Sequence, residues 1–265
     1  MAFLGMIGCG AIGEAILKGT SLSHGSIVIS DANPSRLIDL QKRYRIYATP
    51  NNRTVFAGCR HIVLAIKPDQ LPKIKYQREP GKGGHMILSV MAGVNHQSLT
   101  DHFQTHRVYR CMPNMPIGLG CGSVVVYPSP IDQDARTIAH IFGLSQDLIA
   151  TNDEHDLDLA TIFSGCLPAF FAKLTQDFVR SGCRLGLNQV MAERLVAKSL
   201  EGTVEMLKQR DIELIIKEVT SKRGVTQAGM HVMDHYSGPM VDQVCRASYD
   251  RILEIQSQPT IPDSD

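Results

Sequence analysis

The run Ile7-Gly8-Cys9-Gly10-Ala11-Ile12-Gly13 constrains this chain more than any other. It follows a short apolar stretch, residues 2–7, that reads as a strand, and it leads into a helix-like stretch ending near Gly19. Glycines at G-x-G-x-x-G spacing, with a strand before and a helix after, predict a strand–turn–helix that binds a dinucleotide. Gly8 suits a tight turn, Gly10 a close approach of backbone to a pyrophosphate, and Gly13 close packing of helix on strand. The helix start, at Ala11 and Ile12, offers unpaired N–H groups and the positive end of the helix dipole to the phosphates.

An acidic residue follows at the expected distance. Asp31 follows the β-rich run 26–30. A carboxylate there accepts hydrogen bonds from the adenosine ribose hydroxyls and repels a 2′-phosphate, so NADH is favoured over NADPH. Arg36 lies within reach of a 2′-phosphate and argues the other way. A blander role for Asp31 or Asn33 is to cap a helix starting at Pro34.

Composition narrows the field. A length of 265 residues suffices for one large domain or two modest ones. The net charge of +1 gives no electrostatic case for nucleic acid or an anionic membrane. Tryptophan is absent, which leaves little to stack bases on. No apolar run is read as a membrane span, and no charged leader region precedes the first strand, so a cytoplasmic location is expected. The cysteines, seven and without C-x-x-C spacing, suggest reduced thiols. His102 and His106 sit four apart, but nothing at ligand spacing completes a metal set; a polar helix face is the simpler reading and no metal is expected.

The first half alternates short β-rich runs (2–7, 27–30, 61–66, 85–90, 107–112 and 122–127) with helical stretches (34–43, 96–103 and 132–142). Such alternation indicates a Rossmann-type parallel sheet covered on both faces. From about Asp153 strand-like runs stop. A long helix over 157–183 with a break near Pro168, a second over 189–210, and shorter ones over 212–220, 227–236 and 240–255 are expected from apolar spacing. The fold class is therefore α/β: an NAD(P)-binding Rossmann domain over 1–152 followed by an all-α substrate and dimerisation domain over 153–265. The polar tail 256–265 reads as disordered.

Several further motifs, in order along the chain, resemble those of the pyrroline-5-carboxylate reductase family. Asn52 and, fifteen residues on, Lys67 in Ala65-Ile66-Lys67-Pro68 are similar to elements that line the ribose and nicotinamide. Arg110-Cys111-Met112-Pro113-Asn114 resembles the family's R-V-M-P-N. Ser164-Gly165-Cys166-Leu167-Pro168-Ala169 resembles S-G-S/C-G-P-A, read as a turn at the start of the long helix. Residues 219–226, with His231-Val232, resemble V-T-S-P-G-G-T-T followed by L-H-V.

The resemblance implies reduction of a cyclic imine by NAD(P)H, 1-pyrroline-5-carboxylate to L-proline, as in proline biosynthesis. It implies that Gly8, Gly10, Ala11, Ile12, Gly13, Asp31, Asn52, Ala65, Lys67, Pro68, Met112, Pro113 and Asn114 hold the cofactor. It implies a substrate set of Ser164, Gly165, Cys166, Ser221, Gly224, Val225 and Thr226, with the Thr226 hydroxyl catalytic at the ring nitrogen. It also implies a homodimer or higher homo-oligomer built through the C-terminal helices. Leu167, Lys222 and Arg223 depart from the pattern. Leucine in place of glycine brings an expectation of backbone strain, and the two cations either assist a carboxylate or form a solvated turn. Two other readings stay open. Lys173 resembles the catalytic lysine of β-hydroxyacid dehydrogenases, although Asp177 stands where an asparagine is expected. A non-catalytic, cofactor-binding paralogue is the other. Cys166 has a slight claim to activation by the helix dipole, against a plain packing role.

Overall fold

The computed structural model describes residues 2–76, 84–144 and 148–257. Two compact units emerge, one running to Pro168 and rejoined by residues from Tyr249 onward, the other Ala169–Ser248. This division differs from the expected 1–152 and 153–265: after β8 the described residues are helical, but residues 154–168 and 249–257 belong with the first unit.

In the first unit eight strands form one sheet in the order β3-β2-β1-β4-β5-β6-β7-β8. They are β1 (Ala2–Ile7), β2 (Ile27–Ser30), β3 (Tyr47–Thr49), β4 (Cys59–Leu64), β5 (Met86–Ser89), β6 (Val108–Pro113), β7 (Val124–Tyr127) and β8 (Leu148–Ala150). The strands from β3 to β6 are parallel, in line with the Rossmann expectation, whereas β7 runs antiparallel to β6. Side chains alternate between the faces. Val63, Met86 and Leu88 join one buried cluster with Ile16 and Phe142. Ile62, Leu64 and Ile87 join the other with Val55, Leu99 and Phe103. Helices α1 (Ala11–Gly19), α2 (Pro34–Tyr44), α3 (Asn52–Gly58), α4 (His96–Phe103) and α5 (Asp132–Phe142) connect the strands. The caps follow the residues: Asn33 accepts N–H bonds from Ser35 and Arg36 to start α2, and Asn95 accepts that of Ser98 to start α4.

Helix α6 (Glu154–Ala160) runs through a π-helical stretch, Thr161–Cys166, into α7 (Leu167–Arg184). The expected break near Pro168 is absent. Proline has no N–H to give, and the widened turn before it shifts the backbone pairing so that helix continues. By length and composition Glu154–Arg184 is long and apolar enough to cross a membrane, with mean hydropathy 1.4 over its most apolar window. This corrects the expectation that no stretch approaches such a span.

The second unit holds most of α7, then α8 (Gln189–Leu207), α9 (Ile212–Val219) and most of α10 (Val225–Ser257). The two helices expected over 227–236 and 240–255 are one helix with Pro239 inside it. Gln256 and Ser257, expected to begin a disordered tail, are its last residues; 258–265 lie outside the described residues.

The end of α10 is tied to the sheet unit. A Cβ on Gly93 would lie 2.4 Å from Ile255, so the φ +76 turn after β5 leaves room for that side chain. Gln256 donates to Asp158 Oδ2 at 2.6 Å. Asp158 and Glu154 in turn pair with the buried Arg110 at 2.8 and 2.7 Å.

Candidate active site

The carboxyl ends of the parallel strands share one edge of the sheet. Strand order reverses between β1 and β4, which opens the crevice where ligands of such folds bind. A cleft of about 470 Å³ lies there, and Gly8, Gly10, Asp31, Asn52, Ala65 and Lys67 line it.

The three glycines differ in what surrounds them. Gly8 has φ +80, and a Cβ there would sit 2.6 Å from the Ala65 carbonyl oxygen. Gly10 would meet nothing within 4 Å, so its face of the turn is open to the cleft. A Cβ on Gly13 would lie 3.1–3.3 Å from Gly8, Ala65 and Met6, the close approach of helix to strand. Helix α1 starts at Ala11, so its first-turn N–H groups, those of Ala11, Ile12 and Gly13, lack intrahelical partners beside the turn. Burial pushes the Cys9 thiol up to about 12, which leaves it inert inside this turn.

Asp31 does more than wait for a ribose. One oxygen accepts the Cys9 N–H at 2.9 Å and the other the Asn33 N–H at 2.9 Å, so the carboxylate staples the glycine turn to the end of β2. The capping role belongs to Asn33. Asn52 opens α3; its Oδ1 accepts the buried Ser30 hydroxyl at 2.7 Å, which leaves its amide N–H₂ for the cleft. Lys67 is exposed at the rim and forms no ion pair among the described residues. Pro68 opens the following 3-10 turn and does not line the cleft. Sequence reasoning missed Ser30, Gln70 and Lys73, which also line it. They carry no motif of their own and are recruited by the ends of β2 and of the turn after β4.

Met112 and Pro113 end β6 at the same sheet edge, buried, and Asn114 follows. The Asn114 side chain accepts the Ser123 N–H at 3.0 Å, and the Ser123 hydroxyl lies 3.0 Å from that of Ser164. Gly165 leaves room beside Met112, whose sulfur would be 3.8 Å from a Cβ at that position. Residues expected to hold cofactor and residues expected to hold substrate are thus joined through Ser123, which no sequence signal marked.

Two expectations about Ser164-Gly165-Cys166 need correction. The segment is π-helical within a continuous helix and not a helix start. Leu167 sits at φ −51, ψ −38, ordinary helix geometry, so leucine there brings no backbone strain. Burial raises the Cys166 thiol, and with no helix start nearby it is a packing residue.

The second turn lies in the other unit. Ser221 accepts the Gly224 N–H at 3.0 Å, and a Cβ on Gly224 would lie 2.1 Å from the Ser221 hydroxyl. Helix α10 starts at Val225, so the N–H groups of Val225 and Thr226 fall in its unpaired first turn. The strain expected of Leu167 is found at Arg223, whose φ is +59. Its N–H bonds Gln227 Oε1 at 2.6 Å, which ties the turn to the helix. Lys222 and Arg223 are exposed and form no ion pair among the described residues.

Lys173 is exposed and paired with Asp177 four residues on, a surface pair. His102 bonds the Ile74 carbonyl at 2.8 Å while His106 is exposed.

The comparisons with known proteins agree with this layout. Residues 154–255 match the model described as pyrroline-5-carboxylate reductase dimerisation, and residues 3–93 match NADP oxidoreductase coenzyme F420-dependent. A pyrroline-5-carboxylate reductase of Synechocystis is 28% identical, over 95% of this chain and 97% of its own. The chain is thus similar to pyrroline-5-carboxylate reductases over nearly its whole length. A Thermus thermophilus member is 26% identical over 87% of this chain and 89% of its own. Pyrroline carboxylate reductase of Plasmodium falciparum, solved with NADP bound, superposes with TM-score 0.83 at 24% identity, over 97% of this chain and 98% of its own. The Rossmann-like sheet of this chain thus resembles an NAD(P)-binding domain, and its helical region resembles a dimerisation domain. The dimerisation match includes the apolar helix Glu154–Arg184, and the dehydrogenase reading through Lys173 is not favoured.

Proposed function

We propose that this protein reduces 1-pyrroline-5-carboxylate to L-proline with NADH, as a homodimer or a larger assembly of dimers. The observation that carries the reading is the hydrogen-bonded path from Asn114 through Ser123 to Ser164, which joins the carboxyl edge of the sheet to the π-helical segment that resembles a substrate motif.

The residues of the cleft fit a dinucleotide. The open face of Gly10 admits a pyrophosphate, and the start of α1 supplies donors to it. Asp31 retains lone pairs for ribose hydroxyls, and the Asn52 amide and the unpaired Lys67 supply a donor and a cation. A bound reduced nicotinamide supplies hydride. The chain's task is to present the C=N carbon and to supply a donor to the nitrogen. The Thr226 hydroxyl donates to the neutral imine nitrogen, and the first-turn N–H groups of α10 hold the carboxylate with Lys222 and Arg223 beside them. As hydride reaches the carbon, the nitrogen takes the hydroxyl proton, which water then replaces. Proton and hydride together convert the imine to the amine.

Preference for NADH over NADPH rests on Asp31 at the end of β2. A cytoplasmic site of action fits the reduced cysteines, all free among the described residues. Steady-state kinetics on Thr226→Val test the substrate assignment. The expected result is a kcat/KM for the imine lowered about 100-fold with NADH affinity unchanged, in the usual range for losing one positioned proton donor. Unchanged kinetics would remove Thr226 from the site.

A further inference from the structure

We infer that Glu14 sets the choice between NADH and NADPH by holding the Arg36 guanidinium away from the cofactor's 2′-phosphate position. The inference deepens the NADH reading above and rests on it. Arg36 lies at the start of α2, five residues past Asp31, where a guanidinium is well placed for a phosphate on the adenosine ribose. In the structure it is engaged elsewhere. Its Nε donates to the Cys9 carbonyl at 2.9 Å, one terminal nitrogen pairs with Glu14 at 2.5 Å, and the other lies 3.5 Å from Asp39.

Glu14 is the first-turn acid of α1, directly after Gly13. It accepts from Arg36, from Arg43 at 2.6 Å and from the Tyr44 hydroxyl at 2.8 Å, and Lys18 lies 3.4 Å away. The bonds from Arg43, Arg36 and Tyr44 outweigh burial and hold the Glu14 carboxyl well below the usual carboxylate range. One carboxylate on α1 thus ties down two arginines of α2. The chain carries a cation suited to a 2′-phosphate and also the residue that withholds it. Lys67 and Lys73 line the cleft too. They are common to every variant below, so ratios between variants isolate Arg36.

The test is titration of the intact protein with NADH and with NADPH, read by nicotinamide fluorescence, in wild type, Glu14→Ala, Arg36→Ala and the double variant. Wild type should bind NADH more tightly. Glu14→Ala should shift the ratio toward NADPH by about tenfold, in keeping with one charge-assisted bond. Arg36→Ala alone should leave the ratio unchanged, and in the Glu14→Ala background it should abolish the shift. Three results overturn the inference: an unchanged ratio in Glu14→Ala, a shift that survives loss of Arg36, or a wild-type preference for NADPH that Arg36→Ala removes. Binding needs no turnover, so failure to reduce the imine is read separately and bears only on the proposed reaction.

Discussion

The two compact units are built from similarly apolar sequence, yet they dispose of it in opposite ways. In the first, apolar side chains fill two clusters on the two faces of a sheet. In the second, the buried hydrophobic residues among those described are Ala192 and Ile215, while Phe171, Leu174, Phe178, Val232, Met233 and Tyr236 stand exposed at helical spacing. The difference teaches that one unit closes its core within the chain, whereas the other leaves apolar side chains uncovered, as an association surface does. The dimerisation match spans these residues.

The largest expected effect breaks the helical unit alone. Replacing Phe171 and Phe178 together by Asp should abolish assembly, with association weakened about 1,000-fold or more. Sedimentation equilibrium reads this, and NADH binding by the sheet unit should persist. If the double variant still sediments as the wild type, the exposed stripe is not the interface.

Next comes the ion cluster of the sheet unit. Arg110 is 1% exposed, so Asp158→Ala leaves a buried guanidinium short of a partner and deprives Gln256, at the end of α10, of its acceptor. Loss of about 3–5 kcal/mol is expected in denaturant unfolding, with the midpoint shifted and the slope unchanged. A shift below 1 kcal/mol would show that water replaces the carboxylate.

Gly10→Val separates function from fold. Open space at that position means stability should hold, while a side chain in the cleft should raise the NADH Kd about 100-fold. A parallel loss of stability would contradict the open face.

The smallest effect is a pH slope. Burial first, then the Arg107 and Arg60 charges, lower the His61 pKa to about 4 from 6.5, and its Nδ1 has no partner. Between those values the unfolded chain binds more protons than the folded one, so stability falls as pH drops through that window. Between pH 7 and pH 5 the loss should be about 1–2 kcal/mol, and His61→Asn should flatten it. An equal slope in the variant would assign it to other groups.

Much of this was legible in the sequence because the signals are local. The glycine turn, Asp31, and helix bounds such as those of α4 and α5 follow from turn chemistry and apolar spacing. Strands β3 and β8 have three residues each and α3 has seven, too short to show a period. Pro168 and Pro239 read as breaks because local rules penalise proline in helices, whereas both helices run through their prolines, the first just after a π-helical stretch. Ser123 and Glu14 were invisible because their importance comes from partners 41 and 22 residues away. The Arg36 ion pair is the clearest case: sequence places a cation near a phosphate site, and only the fold shows it already taken.

The central claim is tested most directly by incubating the purified protein with 1-pyrroline-5-carboxylate and NADH and measuring both NADH consumed and L-proline formed. The account predicts one proline per NADH, with NADH used in preference to NADPH. NADH that binds without any proline appearing would contradict it.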